Sequence, residues 1–190
     1  MAFSPKGEYF FCGNDSEVQV WRVENGKRTA TMNISSQAVS LAVSEDGRWL
    51  ASGTYKGVYL WDTSTHEQVL KVEKGVVLGV DFSPDASRLV YASSSMWDKV
   101  VSIWDLGTLK QVQTLPHEEW VFAAKYSPQG DRIATTAPGS ARVYDSSNGN
   151  LLVEINFNVD PWGKGVFWFN DHLLLPSGGN VARIEISTGQ

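Results

Sequence analysis

Residues 93–105 read SSSMWDKVVSIWD, and the two Trp-Asp pairs in this stretch pose the question that decides the fold. The second pair, Trp104-Asp105, belongs to a series. Trp21, Trp61, Trp104 and Tyr144 stand 40, 43 and 40 residues apart, followed by Arg22, Asp62, Asp105 and Asp145. A further 40 residues on, Ile184-Glu185 keep the acidic position and lose the aromatic one. Seventeen residues before three of the anchors stand Ser4-Pro5, Ser44-Glu45 and Ser127-Pro128, while Ser83-Pro84 precedes Trp104 by 21. Gly26, Gly149 and Gly189 each follow an anchor by five residues, where a hairpin calls for positive φ. Three independent markers in one phase are the signature of a repeat architecture. The first pair, Trp97-Asp98, is out of phase. Its unit carries four more residues between serine and anchor than its neighbours, and the surplus falls around Met96 and Trp97.

Within each unit the pattern reads strand, turn, strand. EYFFCG (8–13), RWLASGT (48–54), SRLVYASS (87–94) and DRIATTA (131–137) are short apolar, β-branched and aromatic runs behind turn residues. EVQVW, GVYLW, KVVSIW and SARVY, ending on the four anchors, place Val18/Val20, Val58/Leu60 and Val101/Ile103 on one face and the aromatic on the other. A strand apolar on both faces needs a neighbour on both sides, which small radially stacked sheets supply. No helical periodicity of any length interrupts the pattern.

Composition narrows the function. With 42% hydrophobic residues in 190 the chain is a folding one, and 16 basic against 21 acidic residues give no electrostatic footprint for nucleic acid or an anionic membrane. The one cysteine, Cys12, and three scattered histidines, His66, His117 and His172, offer neither an internal disulfide nor zinc spacing. No apolar window approaches the length of a membrane span and the N-terminus lacks the form of a secretory signal. The reading is a cytoplasmic protein, with the nucleus as the alternative compartment, and no cofactor or metal.

These residues carry a resemblance. Through FSPKG…VQVWR, VSEDG…VYLWD, FSPDA…VSIWD, YSPQG…ARVYD and a weaker VFWFNDHLLL…ARIEI, nearly the whole chain resembles the WD-repeat β-propeller family. The resemblance implies an all-β chain, a β-propeller of four-stranded antiparallel blades. About five blades are expected, in units of roughly 1–36, 37–75, 76–116, 117–156 and 157–190, forming one region incomplete at both ends. It further implies part of a seven-bladed ring, or an arc that needs a second chain to close it. In the family a His, a Ser or Thr, an Asp and the Trp often tie a blade together. Carried over residue by residue, the first unit has Asp15 and Trp21 with Cys12 in the hydroxyl position, and the second has Ser52 and Trp61 with Tyr55 in place of Asp. The third has Asp98 and Trp104; the fourth has His117, Thr135 and Tyr144, with Pro138 in place of Asp.

Catalytic signatures are missing. There is no P-loop, no Gly-x-Gly-x-x-Gly behind a strand, no Gly-x-Ser-x-Gly and no His-Glu-x-x-His. The recurring aspartates read as turn caps, not an acid/base pair, Cys12 as inert core, and His66 and His172 as solvent-facing. What remains is surface. The resemblance places the loops entering each first strand, and the second-to-third-strand turns, on one rim. Trp97, Trp120, Phe122, Tyr55 and Trp162 would gather there, large aromatics of the kind that anchor interfaces. The expected function is a non-enzymatic scaffold or recognition module for a protein or peptide, loosely similar to the WD-repeat regions of fungal signalling proteins. The alternative is the propeller gating domain of a larger hydrolase such as a serine peptidase, which would carry a Gly-x-Ser-x-Gly elbow in a further domain.

Overall fold

A computed structural model describes residues 1–95, 99–156, 165–177 and 180–186, and the regular elements among them are all β-strands. β1 (Ala2–Phe3), β2 (Tyr9–Gly13), β3 (Glu17–Arg22) and β4 (Lys27–Asn33) form the first sheet, and β5 (Ala38–Val43), β6 (Trp49–Thr54), β7 (Gly57–Asp62) and β8 (Gln68–Val72) the second. The third holds β9 (Val77–Phe82), β10 (Arg88–Ser94), β11 (Lys99–Asp105) and β12 (Lys110–Pro116); the fourth holds β13 (Ala123–Tyr126), β14 (Arg132–Ala137), β15 (Ser140–Asp145) and β16 (Leu151–Asn156). β17 (Phe167–Phe169), β18 (His172–Ser177) and β19 (Asn180–Glu185) make a three-stranded fifth sheet among the described residues. All are antiparallel, with strands ordered as they come in the chain.

The sheets stack face to face, so the apolar residues on each face are covered by a neighbour. One apolar cluster fills each seam. Phe11, Val18, Val20, Leu50 and Trp61 join the first and second sheets; Trp49, Leu60, Val80, Leu89 and Leu106 join the second and third. Val90, Ile103, Val121, Ile133 and Tyr144 join the third and fourth, and Val143, Val166, Leu173 and Ile186 the fourth and fifth. β6 and β10, flanked on both sides, are buried almost throughout, whereas the outermost strands β4, β8, β12 and β16 are mostly exposed.

The anchors of the second, third and fourth sheets face the preceding sheet. Trp61 and Tyr144 are buried and Trp104 packs half-buried on the seam behind it. Trp21 faces away from the second sheet and is half-buried. Each anchor also marks a β-bulge. The pairing of third and outermost strands shifts at Val20/Trp21, Leu60/Trp61, Ile103/Trp104 and Val143/Tyr144. The skipped residues are Thr29, Val69, Val112 and Leu152, eight after each anchor, and the three apolar ones stand exposed because a bulged residue leaves the pleat.

The phase markers are turn devices. Ser44, Ser83 and Ser127 each accept, through Oγ, the amide of the residue five on, at 2.8, 2.9 and 3.1 Å, and Ser4 does the same for Tyr9. Asp62, Asp105 and Asp145 cap the following hairpin by accepting from both the amides and the hydroxyls of Ser64, Thr108 and Ser147. Those hydroxyl bonds hold the three carboxyls below the ordinary aspartate value. Five residues after each anchor φ is positive: Gly26 (63°), His66 (60°), Leu109 (53°) and Gly149 (76°). A Cβ at Gly26 would meet nothing within 4 Å, so Gly26→Ala isolates the backbone cost. It should lower the stability read from urea unfolding by about 1 kcal/mol, and His66→Gly should raise it by a similar amount.

Candidate functional site

Antiparallel pairing puts the loop entering each first strand at the same end of the sheet as the turn between second and third strands. Ala38 lies opposite Thr54 and Thr54 opposite Gly57; Ala123 lies opposite Thr136, and Ala137 opposite Ser140. Trp120, in the loop before β13, and Tyr55, in the β6–β7 turn, therefore stand at one end of the stack, 44% and 51% exposed. The backbone around Trp120 is held on both sides. Lys99 Nζ donates to the Glu118 carbonyl at 2.6 Å, and the Phe122 amide donates to the Thr136 carbonyl at 2.8 Å.

Phe122 departs from the sequence expectation. It is buried at 7% relative exposure, because its main chain extends the β13–β14 ladder and its carbonyl approaches Gly79 of the third sheet. Trp97, Asp98 and Trp162 lie outside the described residues.

The polar ties behind the rim form in part, and each blade solves the problem differently. In the fourth sheet His117 Nε2 lies 3.0 Å from Thr135 Oγ1 and 3.4 Å from the Tyr144 hydroxyl, while Nδ1 lies 3.0 Å from the Leu115 carbonyl. With Nδ1 donating to that carbonyl, Nε2 is free to accept from the hydroxyls. His117, placed just beyond β12, thus fastens the edge of the third sheet to β14 and β15 of the fourth.

In the second sheet the Ser52 hydroxyl is buried without a partner among the described residues. The tie passes instead through Tyr59, whose hydroxyl accepts the Ser35 amide at 3.0 Å while its ring stacks on Trp61 at 5.6 Å between centroids. In the third, Ser93 Oγ donates to the Lys74 carbonyl at 3.1 Å, Ser94 Oγ donates to the Val121 carbonyl at 2.6 Å, and Trp104 Nε1 is buried without a partner among the described residues. In the first, Asp15 is exposed and takes no part among the described residues. Asn14 Oδ1 caps the turn, accepting the Ser16 and Glu17 amides, and Gln19 Oε1 accepts from Trp21 Nε1 at 3.2 Å. Neither Tyr59 nor Gln19 stands at a position of the family tie, though both sit two residues before an anchor on the third strand, where a side chain shares the anchor's face.

Two other expectations need correction. Cys12 is half-buried, on the same side of β2 as Gln19 and with Sγ 3.8 Å from its Oε1. His66 and His172 are half-buried too, the latter with Nε2 3.3 Å from Arg183 Nη2.

With this geometry in view, the comparisons with known proteins agree. The family model described as WD domain, G-beta repeat, matches residues 1–22, 26–62, 64–105 and 109–145, and the chain belongs to the WD-repeat family of β-propellers. The WD repeat-containing protein SL1-17 of Schistosoma mansoni is 39% identical over 145 residues, 73% of this chain and 47% of that protein. Eukaryotic translation initiation factor 3 subunit I of Kluyveromyces lactis is 25% identical over 170 residues, 79% of this chain and 49% of that protein. The crystal structure of the RRP9 WD40 repeats superposes with a TM-score of 0.77 at 20% identity, covering 91% of this chain and 55% of that one. The chain spans about half the length of each. Proteins of this family generally act as scaffolds for protein interactions.

His117 gives the site a pH signature. Burial is the main cause holding its imidazole below the ordinary histidine value. The folded chain therefore takes up that proton later than the unfolded chain as pH falls. The stability that neutral His117 contributes is complete above the unfolded value of about 6.5 and is lost as pH falls through the folded value. Urea midpoints should decline below about pH 6.5 in the parent chain and decline less in His117→Gln.

Proposed function

We propose that this chain is a non-enzymatic interaction module that takes a protein or peptide partner on the rim carrying Trp120 and Tyr55. The observation behind the reading is that these two large aromatics stand exposed at one end of the stack on short, hydrogen-bonded connections, while their neighbours of similar size are buried. A rigid aromatic loses little rotamer freedom on docking and buries much apolar area, which is why such residues dominate interface energetics. Glu118 and Glu119 beside Trp120 favour a partner with basic residues at the periphery. Trp97 and Trp162 complete the proposed surface by their place in the repeat. The reading takes the five sheets as part of a longer propeller, in keeping with the chain's span of about half of its relatives. It places the protein in the cytoplasm or nucleus and gives it no nucleic-acid or membrane partner.

The test is capture of partners from extract by the chain and its variants. Trp120→Ala and Tyr55→Ala should each reduce capture of the same bands several-fold and leave the melting temperature nearly unchanged. Loss of folding in both, or undiminished capture, would remove the rim from consideration. Trp61→Ala, by contrast, opens the seam between the first and second sheets and should cost about 3–5 kcal/mol in urea unfolding.

A further inference from the structure

At the end opposite the proposed rim, the seams between sheets share one frame and differ in what fills it. The residue whose amide the turn serine caps is Tyr9, Trp49, Arg88 and Arg132 in the first four sheets. Across the seam, two residues past the next sheet's anchor, stand Thr63, Leu106, Ser146 and Ile186. Arg88 donates from Nη1 to the Ser146 carbonyl at 3.1 Å, and Arg132 from Nη1 to the Ile186 carbonyl at 2.9 Å. Trp49 fills its seam by packing in one apolar cluster with Leu106.

Tyr9 does neither. Its hydroxyl accepts from Arg22 Nη2 at 3.2 Å within its own sheet, and the Arg22 guanidinium lies over its ring at 5.5 Å. A cavity of about 440 Å³ lies between the first and second sheets, running from Pro5 and Tyr9 to Gly47 and Thr63, against about 330 Å³ at the seam that Arg88 spans. Its frame is the one Arg88 spans two sheets further on: Pro5 Cδ would stand 3.6 Å from a Cβ on Gly47, and Pro84 Cδ 3.2 Å from one on Gly130. Its lip carries the exposed carboxylates Glu8 and Glu45. Asp46, also on the lining, is committed to Ser44 and the Arg48 amide. The lining also carries Lys6, Arg22 and His66, and Arg22 is the one occupied by Tyr9.

We propose that this seam is a socket for an arginine side chain of a partner protein. The guanidinium donates to the Thr63 carbonyl as Arg88 and Arg132 donate to theirs, its aliphatic stem lies along Tyr9, and Glu8 and Glu45 answer its charge. A planar fork that donates along its edge while its faces stack is what this space admits. A lysine ammonium offers neither the stacking plane nor the reach in two directions.

The experiment is an amide-resolved NMR titration of the chain with three capped tripeptides, Gly-Arg-Gly, Gly-Lys-Gly and Gly-Glu-Gly. The arginine peptide should shift the Gly47, Thr63 and Ser64 amides with saturation in the millimolar range, and the lysine peptide should bind at least about threefold more weakly. Tyr9→Arg, which supplies the arginine found at two other seams, should abolish the response and raise the melting temperature. Glu45→Lys should weaken the response severalfold with the fold intact, and it carries the test should Tyr9→Arg fail to fold. Equal response to lysine, no shift at these amides, or an undiminished response in Glu45→Lys overturns the proposal. A response to the glutamate peptide alone also overturns it, and would make the seam an anion site built on Lys6 and Arg22.

Discussion

Every other feature of this molecule follows from the need of a small, two-sided apolar sheet to be covered on both faces. A four-stranded antiparallel sheet with Val58 and Leu60 on one side and Tyr59 and Trp61 on the other cannot rest in water. It can rest only between two sheets like itself. The consequence is a core divided into seams, one apolar cluster to each, so that each repeat contacts its neighbours and little else. Residues near the centre of the stack add polar crosslinks on the same plan. The Val80 amide donates to Ser40 Oγ at 3.2 Å, Lys125 Nζ and the Tyr126 amide both donate to Asp81 at 2.9 Å, and Trp168 Nε1 donates to the Lys125 carbonyl at 3.3 Å.

Given apolar seams, the polar tie of the family becomes an adjustable fitting and not a requirement. A net hydrogen bond contributes about 0.5–1.5 kcal/mol, and burying a large aromatic contributes more. The fourth sheet keeps a histidine tie, the second moves it to Tyr59, and the first uses Gln19. In the second and fourth sheets this bond pins the entering loop to the second or third strand, whereas in the first it stays within β3. That constancy of purpose, with variable residues, is what lets Trp120 and Tyr55 be displayed on fixed backbone.

The repeat was legible because its markers are local. A serine that caps an amide five residues on, an aspartate that caps a hairpin and a residue with positive φ all act within one turn, and such residues recur in phase wherever the turn recurs. His117 and Thr135 were legible through the family resemblance alone, since the bond between them joins residues 18 apart across two sheets. What escaped the sequence was set between sheets. The burial of Phe122 depends on how the third sheet presses on the loop before β13, and the positive φ of His66 and Leu109 is masked by residue types that do not advertise it. The exposed Val69, Val112 and Leu152 could have been found, since each falls eight residues past an anchor; the bulge that expels them is invisible only until the period is applied to it.

The seam arginines bear on the molecule's solubility while it breathes. Stacked sheets open at their seams, and an opened seam ordinarily presents two β-branched surfaces that other chains can join. Where Arg88 and Arg132 bridge, opening uncovers a guanidinium set among those residues, which hydrates at once and repels like copies. The Trp49–Leu106 seam lacks such a bridge among the described residues, but the Arg48 guanidinium lies over its Trp49 ring at 4.4 Å. That seam lies between the second and third sheets, where a neighbouring sheet on either side holds it shut.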